Sequence, residues 1–276
     1  MSSPKRLSTH ALCFAYQDKP VLQGLSLDFG ASQVTGLIGA NGCGKSTLFM
    51  TLSGLLRPQC GEVRWGDEVL NYNKKALMAL RQQVVTVFQD PDQQLFYTDI
   101  ESDIAFSLHN LNVPEAEVQR RVDEALTLVD AQHFRHQPIQ HLSFGQKKRV
   151  ALAGALVMDA DYLLLDEPTA GLDPCGREKM ITIISQVVAQ GKHIVISSHD
   201  IDLIHRICDR VYVLKQGMLL REGAVTEVFL DKQMLQAAGL EQPWLAKLHA
   251  ESKLPLFRTE TELFAYLREQ VPLFIV

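Results

Sequence analysis

The segment Gly39-Ala-Asn-Gly-Cys-Gly-Lys-Ser-Thr47 constrains the fold of this chain more than any other feature. It fits the pattern G-x-x-x-x-G-K-[ST], in which both glycines, the lysine and the hydroxyl residue are required. The apolar run 34–38 predicts a strand that enters the loop, and residues 46–52 predict a helix that leaves it. This order of strand, loop and helix predicts a phosphate-binding loop on an α/β scaffold.

The residue types of this loop suit a nucleoside triphosphate. Glycine has no side chain, so several backbone N–H groups can point at clustered negative charge. The N-terminal end of the following helix adds positive potential. We expect the lysine to reach the β- and γ-phosphates and the serine hydroxyl to ligate Mg²⁺. The residues expected to contact ATP in this loop are Gly39, Asn41, Gly42, Cys43, Gly44, Lys45, Ser46 and Thr47.

Two acids follow the apolar strand that is predicted over 162–165. Asp166 leaves the core at the ligand-facing edge of an open sheet, where a carboxylate can hold Mg²⁺. Glu167 comes one residue later and is predicted to orient and deprotonate the attacking water. Taken alone, the pattern would fit an ordinary buried strand followed by an acidic loop. Beside an intact phosphate-binding loop, it predicts the second half of a nucleotide site.

Two further side chains follow predicted strands on the same edge of the sheet. His199 comes after the strand 194–198, where it can hydrogen-bond the γ-phosphate or the attacking water. Gln89 comes after the strand 84–87 and is a candidate Mg²⁺ ligand. Alone, the histidine would be interpreted as a capping or core residue, and the glutamine is a weak signal. Both gain weight from the motifs around them.

A second anion site is suggested by Leu142-Ser-Phe-Gly-Gln-Lys-Lys-Arg149. A serine and a glycine at the start of a helix form an anion-binding N-terminus. The chain already has a phosphate cradle, so a second site suggests a γ-phosphate presented by another subunit. The alternative is a capped helix with no ligand.

The remaining segments alternate between predicted strands and helices. This alternation predicts a mainly parallel sheet covered by helices. Residues 98–158 are mostly helical in pattern, so a helical insert over about 90–158 interrupts the α/β core. The expected domains are an ATPase domain over 5–230 and a small C-terminal extension over 231–276. Individual helices are predicted over 146–158, 177–188, 201–207 and 260–269.

Composition argues against several classes of protein. A net charge of −5 and a pI near 6.0 disfavour a general nucleic-acid binder. No apolar run approaches the roughly 20 residues needed to cross a bilayer, and the start of the chain has no signal-peptide core. We therefore expect a protein kept in the cytoplasm. The five cysteines are scattered without a C-x-x-C pair, which favours buried reduced thiols over a zinc site or disulfides.

In order and spacing, these motifs resemble those of the ATP-binding subunits of ABC transporters. The resemblance covers residues 16–200 and includes the loop 171–173. Tyr16 resembles the aromatic residue that stacks on adenine in this family, and Gln89 resembles its glutamine loop. The implied fold is an α/β P-loop NTPase, the ABC cassette, with a helical subdomain insert. The implied activity is ATP hydrolysis with Mg²⁺.

The resemblance also implies a second ATPase subunit, either a copy of this chain or a close paralogue. In this family two subunits lie head to tail, and each ATP is held between the P-loop of one and the signature of the other. The matching signature residues here are Ser143, Phe144, Gly145 and Gln146. Closure on ATP would then drive a membrane partner. Phe144 stands where the family usually has a glycine, and its added bulk is expected to slow or tune closure.

Within the family, the segment 88–96 resembles the ATPases of energy-coupling-factor importers, which carry vitamins and transition metals, and most of all those of cobalt importers. The implied partners are an integral membrane coupling subunit and a substrate-binding membrane subunit, without nucleic acid. The implied location is peripheral, at the cytoplasmic face of the membrane. We expect this segment to dock on the membrane subunits, with a polar rim and with Leu95 and Phe96 as apolar anchors.

Other interpretations remain open. A related importer could carry nickel or a vitamin. A soluble ABC ATPase acting on DNA or ribosomes usually has two cassettes, coiled-coil arms or zinc-binding cysteines, whereas this sequence has one P-loop and no C-x-x-C pair. A component of an ABC exporter is a third interpretation, but segment 88–96 resembles that of importers more specifically. A cobalt site at His133, His136 and His141 is disfavoured, since their spacing gives no regular helical face. The basic run 147–149 is interpreted as a helix face or docking patch.

Overall fold

The computed structural model describes residues 5–270, which form two β-sheets and a set of helices. The strands are β1 (Leu7–Tyr16), β2 (Lys19–Asp28), β3 (Val34–Ile38), β4 (Cys60–Trp65), β5 (Glu68–Val69), β6 (Val84–Val87), β7 (Tyr162–Asp166), β8 (His193–Ser197), β9 (Arg210–Lys215) and β10 (Met218–Ala224). The helices are α1 (Lys45–Leu52), α2 (Lys74–Arg81), α3 (Ile100–Asn110), α4 (Glu115–Leu128), α5 (Phe144–Leu156), α6 (Pro174–Ala189), α7 (Ile201–Ile207), α8 (Val225–Val228), α9 (Lys232–Ala237), α10 (Trp244–Ser252) and α11 (Glu260–Gln270).

The larger sheet carries the site. Its strand order is β10-β9-β3-β8-β7-β6, and all neighbouring pairs are parallel except β10 with β9. Every residue of β3 and β7 is buried, as expected for central strands covered on both faces. Because the strands are parallel, the carboxyl ends of β3, β6, β7 and β8 meet at one edge. The α/β class predicted from the sequence is confirmed.

The smaller sheet is antiparallel, with strand order β2-β1-β4-β5, and the sequence did not predict it. Strand patterns were recognised only over 25–29 and 62–65, which cover parts of β2 and β4, while β1 and β10 were missed. β1 alternates irregularly between buried and exposed residues, and its pairing with β2 shifts register at three places. These irregularities interrupt the period of two that identifies a strand.

Two predicted helices begin earlier than their apolar periodicity indicated. α5 begins at Phe144, because Ser143 caps it, and α6 begins at Pro174, because the Asp173 carboxylate accepts the N–H of Gly176. A capping side chain fixes the first turn before the apolar pattern starts. α7 has the predicted bounds, and α11 extends one residue beyond those predicted.

The helical insert and the C-terminal helices share one apolar core with the parallel sheet. Val118, Val122 and Leu126 recur at helical spacing in α4 and are buried in this core. Leu235 of α9 and Ala246 of α10 belong to the same cluster. The helices after residue 230 therefore pack onto the ATPase core, while the division proposed at that residue stays a prediction.

The prediction that the cysteines are reduced and buried is wrong for three of the five. Cys13 and Cys60 are bonded as a disulfide, with 5.0 Å between their Cα atoms. They are register partners on the antiparallel strands β1 and β4, which brings together residues far apart in sequence. Cys175 is free but exposed, whereas Cys43 and Cys208 are free and buried as expected.

No helix within residues 5–270 combines the length and the apolar character needed to span a bilayer.

Candidate functional site

The phosphate-binding loop connects β3 to α1 and depends on glycine at both of its ends. Gly39 has φ +154° and Gly44 has φ +107°, in the region that favours glycine. A Cβ at Gly39 would lie 2.3 Å from the carbonyl oxygen of Leu214, and one at Gly44 would lie 2.9 Å from that of Val21. Alanine at either position would therefore displace backbone as well as strain it.

One cavity of about 370 Å³ collects most of the predicted nucleotide-site residues. Its lining residues are Val21, Asn41, Gly42, Gly44, Lys45, Ser46, Thr47, Gln89, Asp166 and Glu167. Larger cavities of about 640 and 810 Å³ lie elsewhere and contain none of the predicted site residues. We place the site at the smaller cavity because it is where the lysine, the hydroxyls and the two acids converge.

Lys45 and the oxygen donors of this cavity suit a magnesium nucleotide. Lys45 is buried, and its Nζ donates to the carbonyl oxygen of Gly39 at 2.8 Å. Ser46, Gln89 and Asp166 supply hydroxyl, amide and carboxylate oxygens around the same space. Mg²⁺ prefers such oxygen ligands, so the residues present fit the ion.

The acids at the end of β7 are held by β8. Ser197 Oγ donates to Asp166 Oδ1, and the N–H of Glu167 donates to the Ser197 carbonyl oxygen at 3.0 Å. Ser198 Oγ lies 3.3 Å from Glu167 Oε2, and His199 Nδ1 lies 2.8 Å from the same oxygen. Glu167 is buried, whereas the His199 side chain is 61% exposed. The structure thus joins the two predicted catalytic side chains at the rim of the cavity.

Glu167 also rests on a residue that sequence reasoning misplaced. The basic run 147–149 was interpreted as a helix face or docking patch, but Lys148 is buried. Its Nζ donates to the carbonyl oxygens of Glu167 at 2.6 Å and Pro168 at 3.3 Å. Burial lowers the pKa of Lys148 to about 8, against the opposite effect of the nearby carboxylates. The signal was available, because Lys148 shares helical spacing with the buried Ala151 and Leu152.

The signature residues lie outside the cavity of their own chain. Ser143 caps α5 by accepting from the N–H of Gln146, while Gln146 Oε1 accepts from the N–H of Ser143. This capping box fixes the first turn of the helix. Phe144 is 41% exposed, and a Cβ at Gly171 would lie 2.8 Å from its ring. The extra aromatic ring therefore packs against the loop that follows Glu167.

Tyr16 lies at the end of β1 and is 46% exposed. Its ring stands edge-on to that of Phe14, with 4.9 Å between centroids. It does not line the cavity, although Val21 on the adjoining strand does. Its stacking on adenine stays a prediction.

The segment that follows Gln89 differs in part from its predicted arrangement. Phe96 is 75% exposed, as an apolar anchor would be, but Leu95 packs against the core. Gln94 is also turned inward, accepting from the N–H of Phe88 and donating to the carbonyl of Ala151. Gln94 and Leu95 therefore face the core, whereas Phe96 faces outward, so only one of the two predicted anchors is exposed.

His133, His136 and His141 do not converge on a metal site. His133 Nδ1 lies 3.8 Å from Asp130 Oδ1, and His136 Nδ1 lies 3.8 Å from Glu101 Oε1, so the two rings have different acidic neighbours. Over the part of the chain that the structure describes, no group of three or more His, Cys, Asp or Glu side chains is placed to hold a metal ion.

Comparison with known proteins decides the family. A family model described as ABC transporter matches residues 22–170, more than half of the chain. The chain belongs to the ABC transporter family. The chain is accordingly an ABC ATPase, which binds ATP and couples its hydrolysis to transport.

Individual relatives are similar over nearly the whole chain. The cobalt import ATP-binding protein CbiO of Salmonella paratyphi A is 70% identical over 258 residues, covering 94% of this chain and 95% of the relative. The energy-coupling factor transporter ATP-binding protein EcfA of Methanocaldococcus jannaschii is 43% identical, covering 88% and 87%. The solved structure of cbiO1 from Clostridium perfringens, part of the ABC transporter complex cbiONQ, matches with a TM-score of 0.77 and 38% identity, over 90% of this chain and 100% of that one. The ABC cassette fold is therefore confirmed.

Proposed function

We propose that this ABC ATPase powers the import of cobalt ion through a membrane energy-coupling-factor complex. The observation that carries the proposal is the 70% identity, over 94% of this chain, to a protein named for cobalt import. The similarity to the energy-coupling-factor relative supports the class of complex. An importer of nickel or of a vitamin is the alternative, because the ATPase does not itself touch the cargo.

At the nucleotide site, each residue has a proposed role. Lys45 neutralises the β- and γ-phosphates, and Ser46, Gln89 and Asp166 would hold Mg²⁺, which offsets phosphate charge when bound. Glu167 takes the proton of the attacking water. Its carboxylate lies 2.8 Å from His199 Nδ1, and the proposed role of the imidazole is to hydrogen-bond the γ-phosphate.

We propose that two ATPase subunits share each nucleotide. The capped N-terminus of α5 does not line the cavity of its own chain, and its proposed role is to meet the ATP of a second subunit. The second subunit is a copy of this chain or a close paralogue. Gly145 and Gln146 contribute to the same turn, whose N–H groups suit a γ-phosphate.

The membrane subunits are proposed to dock on an aromatic face formed by Phe96, Tyr97 and Phe106. All three are exposed, and the rings of Tyr97 and Phe106 lie 5.7 Å apart. The Asp103 carboxylate accepts the N–H groups of Phe96 and Tyr97, at 2.7 and 2.9 Å, which fixes the backbone that presents them. Exposed aromatic side chains are typical anchors of protein interfaces.

The docking segment begins at Gln89, which lines the nucleotide cavity, so the ATP state can be passed to a partner along a few residues. An integral membrane coupling subunit and a substrate-binding membrane subunit are the proposed partners. The proposed location is peripheral, at the cytoplasmic face of the membrane.

Mixed dimers test the shared site. Lys45→Ala should largely abolish nucleotide binding in its own subunit, and Ser143→Arg should block the ATP of the opposite subunit. A dimer with one variant on each subunit carries both lesions in one site and leaves the other intact. We expect such dimers, isolated with two affinity tags, to hydrolyse ATP well above either homogeneous variant. No recovery of activity would contradict the shared site.

A further inference from the structure

Lys148 occupies an unusual position for a charged side chain. It lies in the second turn of α5 with only 4% of its surface exposed. The small cavity beside it is lined by Val87, Leu152, Leu165 and Met180. A buried ammonium is costly unless its donors are satisfied. Its bonds to the carbonyl oxygens after β7 are therefore strong constraints on that backbone.

Glu167 needs such a constraint, because its backbone lies in the left-handed region with φ +49°. Residues other than glycine rarely adopt this conformation and keep it only when neighbours hold it. Three hydrogen bonds do so here. The N–H of Glu167 donates to Ser197, and its carbonyl oxygen accepts from Ala170 N–H at 3.2 Å and from Lys148 Nζ. The bond to Ser197 comes from the sheet, the bond from Ala170 from the local turn, and the bond from Lys148 from α5.

Resting on the shared site proposed above, we infer that Lys148 is a positioning residue that couples the two nucleotide sites of a dimer through one chain. The first turn of α5 carries Ser143, which meets the ATP of the opposite subunit. The second turn carries Lys148, which holds the base that acts on the chain's own ATP. If α5 shifts when Ser143 binds the ATP of the opposite subunit, the Lys148 ammonium moves with it. The hydrogen bond from this ammonium to the Glu167 carbonyl oxygen then changes.

Phe144 reinforces the connection. Lys148 Nζ lies 5.5 Å from the centre of the Phe144 ring, within the range of a cation–π interaction. The same ring packs against Gly171, in the loop that follows Glu167. The residue that replaces the usual signature glycine thus lies against both the ammonium and the loop.

Replacing Lys148 by methionine tests the role in the full-length chain. Lys148→Met keeps the length of the side chain and removes a buried charge, so the fold should persist, and its melting temperature checks this. We expect kcat to fall about tenfold or more, since a hydrogen bond from a charged donor is lost. Nucleotide binding should be unchanged, and Lys148→Met/Glu167→Gln should still form ATP-dependent dimers. Lys148→Gln, which keeps a donor without the charge, should retain more activity than Lys148→Met.

Lys192→Met is the matched control. Lys192 Nζ also donates to a backbone carbonyl, that of Asp159 at 2.9 Å, but at a turn remote from the nucleotide cavity. The kcat of Lys192→Met should equal that of the wild type. An unchanged kcat in Lys148→Met, or a loss of nucleotide binding equal to the loss of kcat, would overturn the inference.

Mixed dimers show which site Lys148 serves. Ser143→Arg damages the site of the opposite subunit, whereas Lys148→Met should damage the site of its own. With one variant on each subunit, both lesions fall on one site and about one site's activity should remain. With both variants on the same subunit and a wild-type partner, both sites are hit and activity should be lost.

The reverse pattern would mean that Lys148 acts through the signature, and it would overturn the inference while leaving the shared site intact. Failure of the proposed function is recognised separately, because the Lys45→Ala and Ser143→Arg dimers test the shared site without any change at Lys148.

Discussion

Acidification should weaken the packing of the C-terminal helices through one buried histidine. His205 of α7 is 1% exposed, and its Nε2 has no hydrogen-bond partner in the described part of the chain. Burial lowers its pKa to about 4, and the charge of Arg258 adds to the effect while that of Glu262 opposes it. Arg258 lies close because it donates to the carbonyl oxygens of His205 and Cys208 at the end of α7.

The pH window and the size of the effect follow from the two pKa values. The ordinary pKa of histidine is 6.5, so between about pH 6.5 and pH 4 the unfolded chain binds a proton that the folded chain does not. Stability therefore rises with pH across this window and is lost as the pH falls through it. At pH 5 the contribution of His205 should make the free energy of unfolding about 2 kcal/mol lower than at pH 7.5.

Urea unfolding at these two pH values measures the effect. His205→Phe keeps a planar ring and removes the titration, so about 2 kcal/mol of the pH-dependent change should disappear. His136→Gln is the control, because the His136 side chain is 86% exposed, and this variant should keep the wild-type pH dependence. An undiminished pH dependence in His205→Phe would refute the reasoning.

Two other predictions concern the surface and the small sheet. Phe96→Ala with Asp92→Ala should reduce co-purification with the membrane subunits, while ATP binding by the isolated chain remains because neither side chain lines the nucleotide cavity. The control Leu220→Ala, at another exposed apolar residue, should leave co-purification unchanged. Unchanged co-purification of the double variant would contradict the docking face. The Cys13–Cys60 disulfide joins residues 47 positions apart, so the loss of loop closure on its reduction should destabilise the wild type by about 4 kcal/mol. Reductant should not change the stability of Cys13→Ser/Cys60→Ser. Equal melting temperatures of the wild type with and without reductant would show that the thiols are not bridged.

The convergence of the candidate nucleotide-site residues was largely predictable because they follow strands of one parallel sheet. β3, β6 and β8 have the predicted bounds or bounds within one residue of them, and β7 includes one further residue, Asp166. Once these strands were recognised, parallel pairing placed Lys45, Gln89, Asp166 and Glu167 on a common edge. Local patterns sufficed here because each residue is positioned by the strand beside it.

The features that were missed depend on contacts between distant segments. The antiparallel sheet pairs β1 with β4, which are separated in sequence by the phosphate-binding loop. The register of this pair brings Cys13 and Cys60 together, so the disulfide could not be predicted without it. Lys148 reaches Glu167 across 19 positions of sequence, and nothing local marks a lysine as buried except the apolar residues on its helical face. The inward turn of Leu95 depends on packing against the core, which its sequence neighbours do not reveal.

Cobalt uptake with a hydrolysis-deficient ATPase tests the central claim most directly. In cells whose cobalt uptake depends on this transporter, Glu167→Gln should still bind ATP, because Lys45 and Asp166 are intact. ATP hydrolysis and cobalt accumulation should both fall to background, while Glu251→Gln, an exposed acid of α10, should support wild-type levels. Hydrolysis at the normal rate in Glu167→Gln would contradict the assignment of the base. Loss of nickel or vitamin uptake with cobalt unaffected would contradict the proposed cargo.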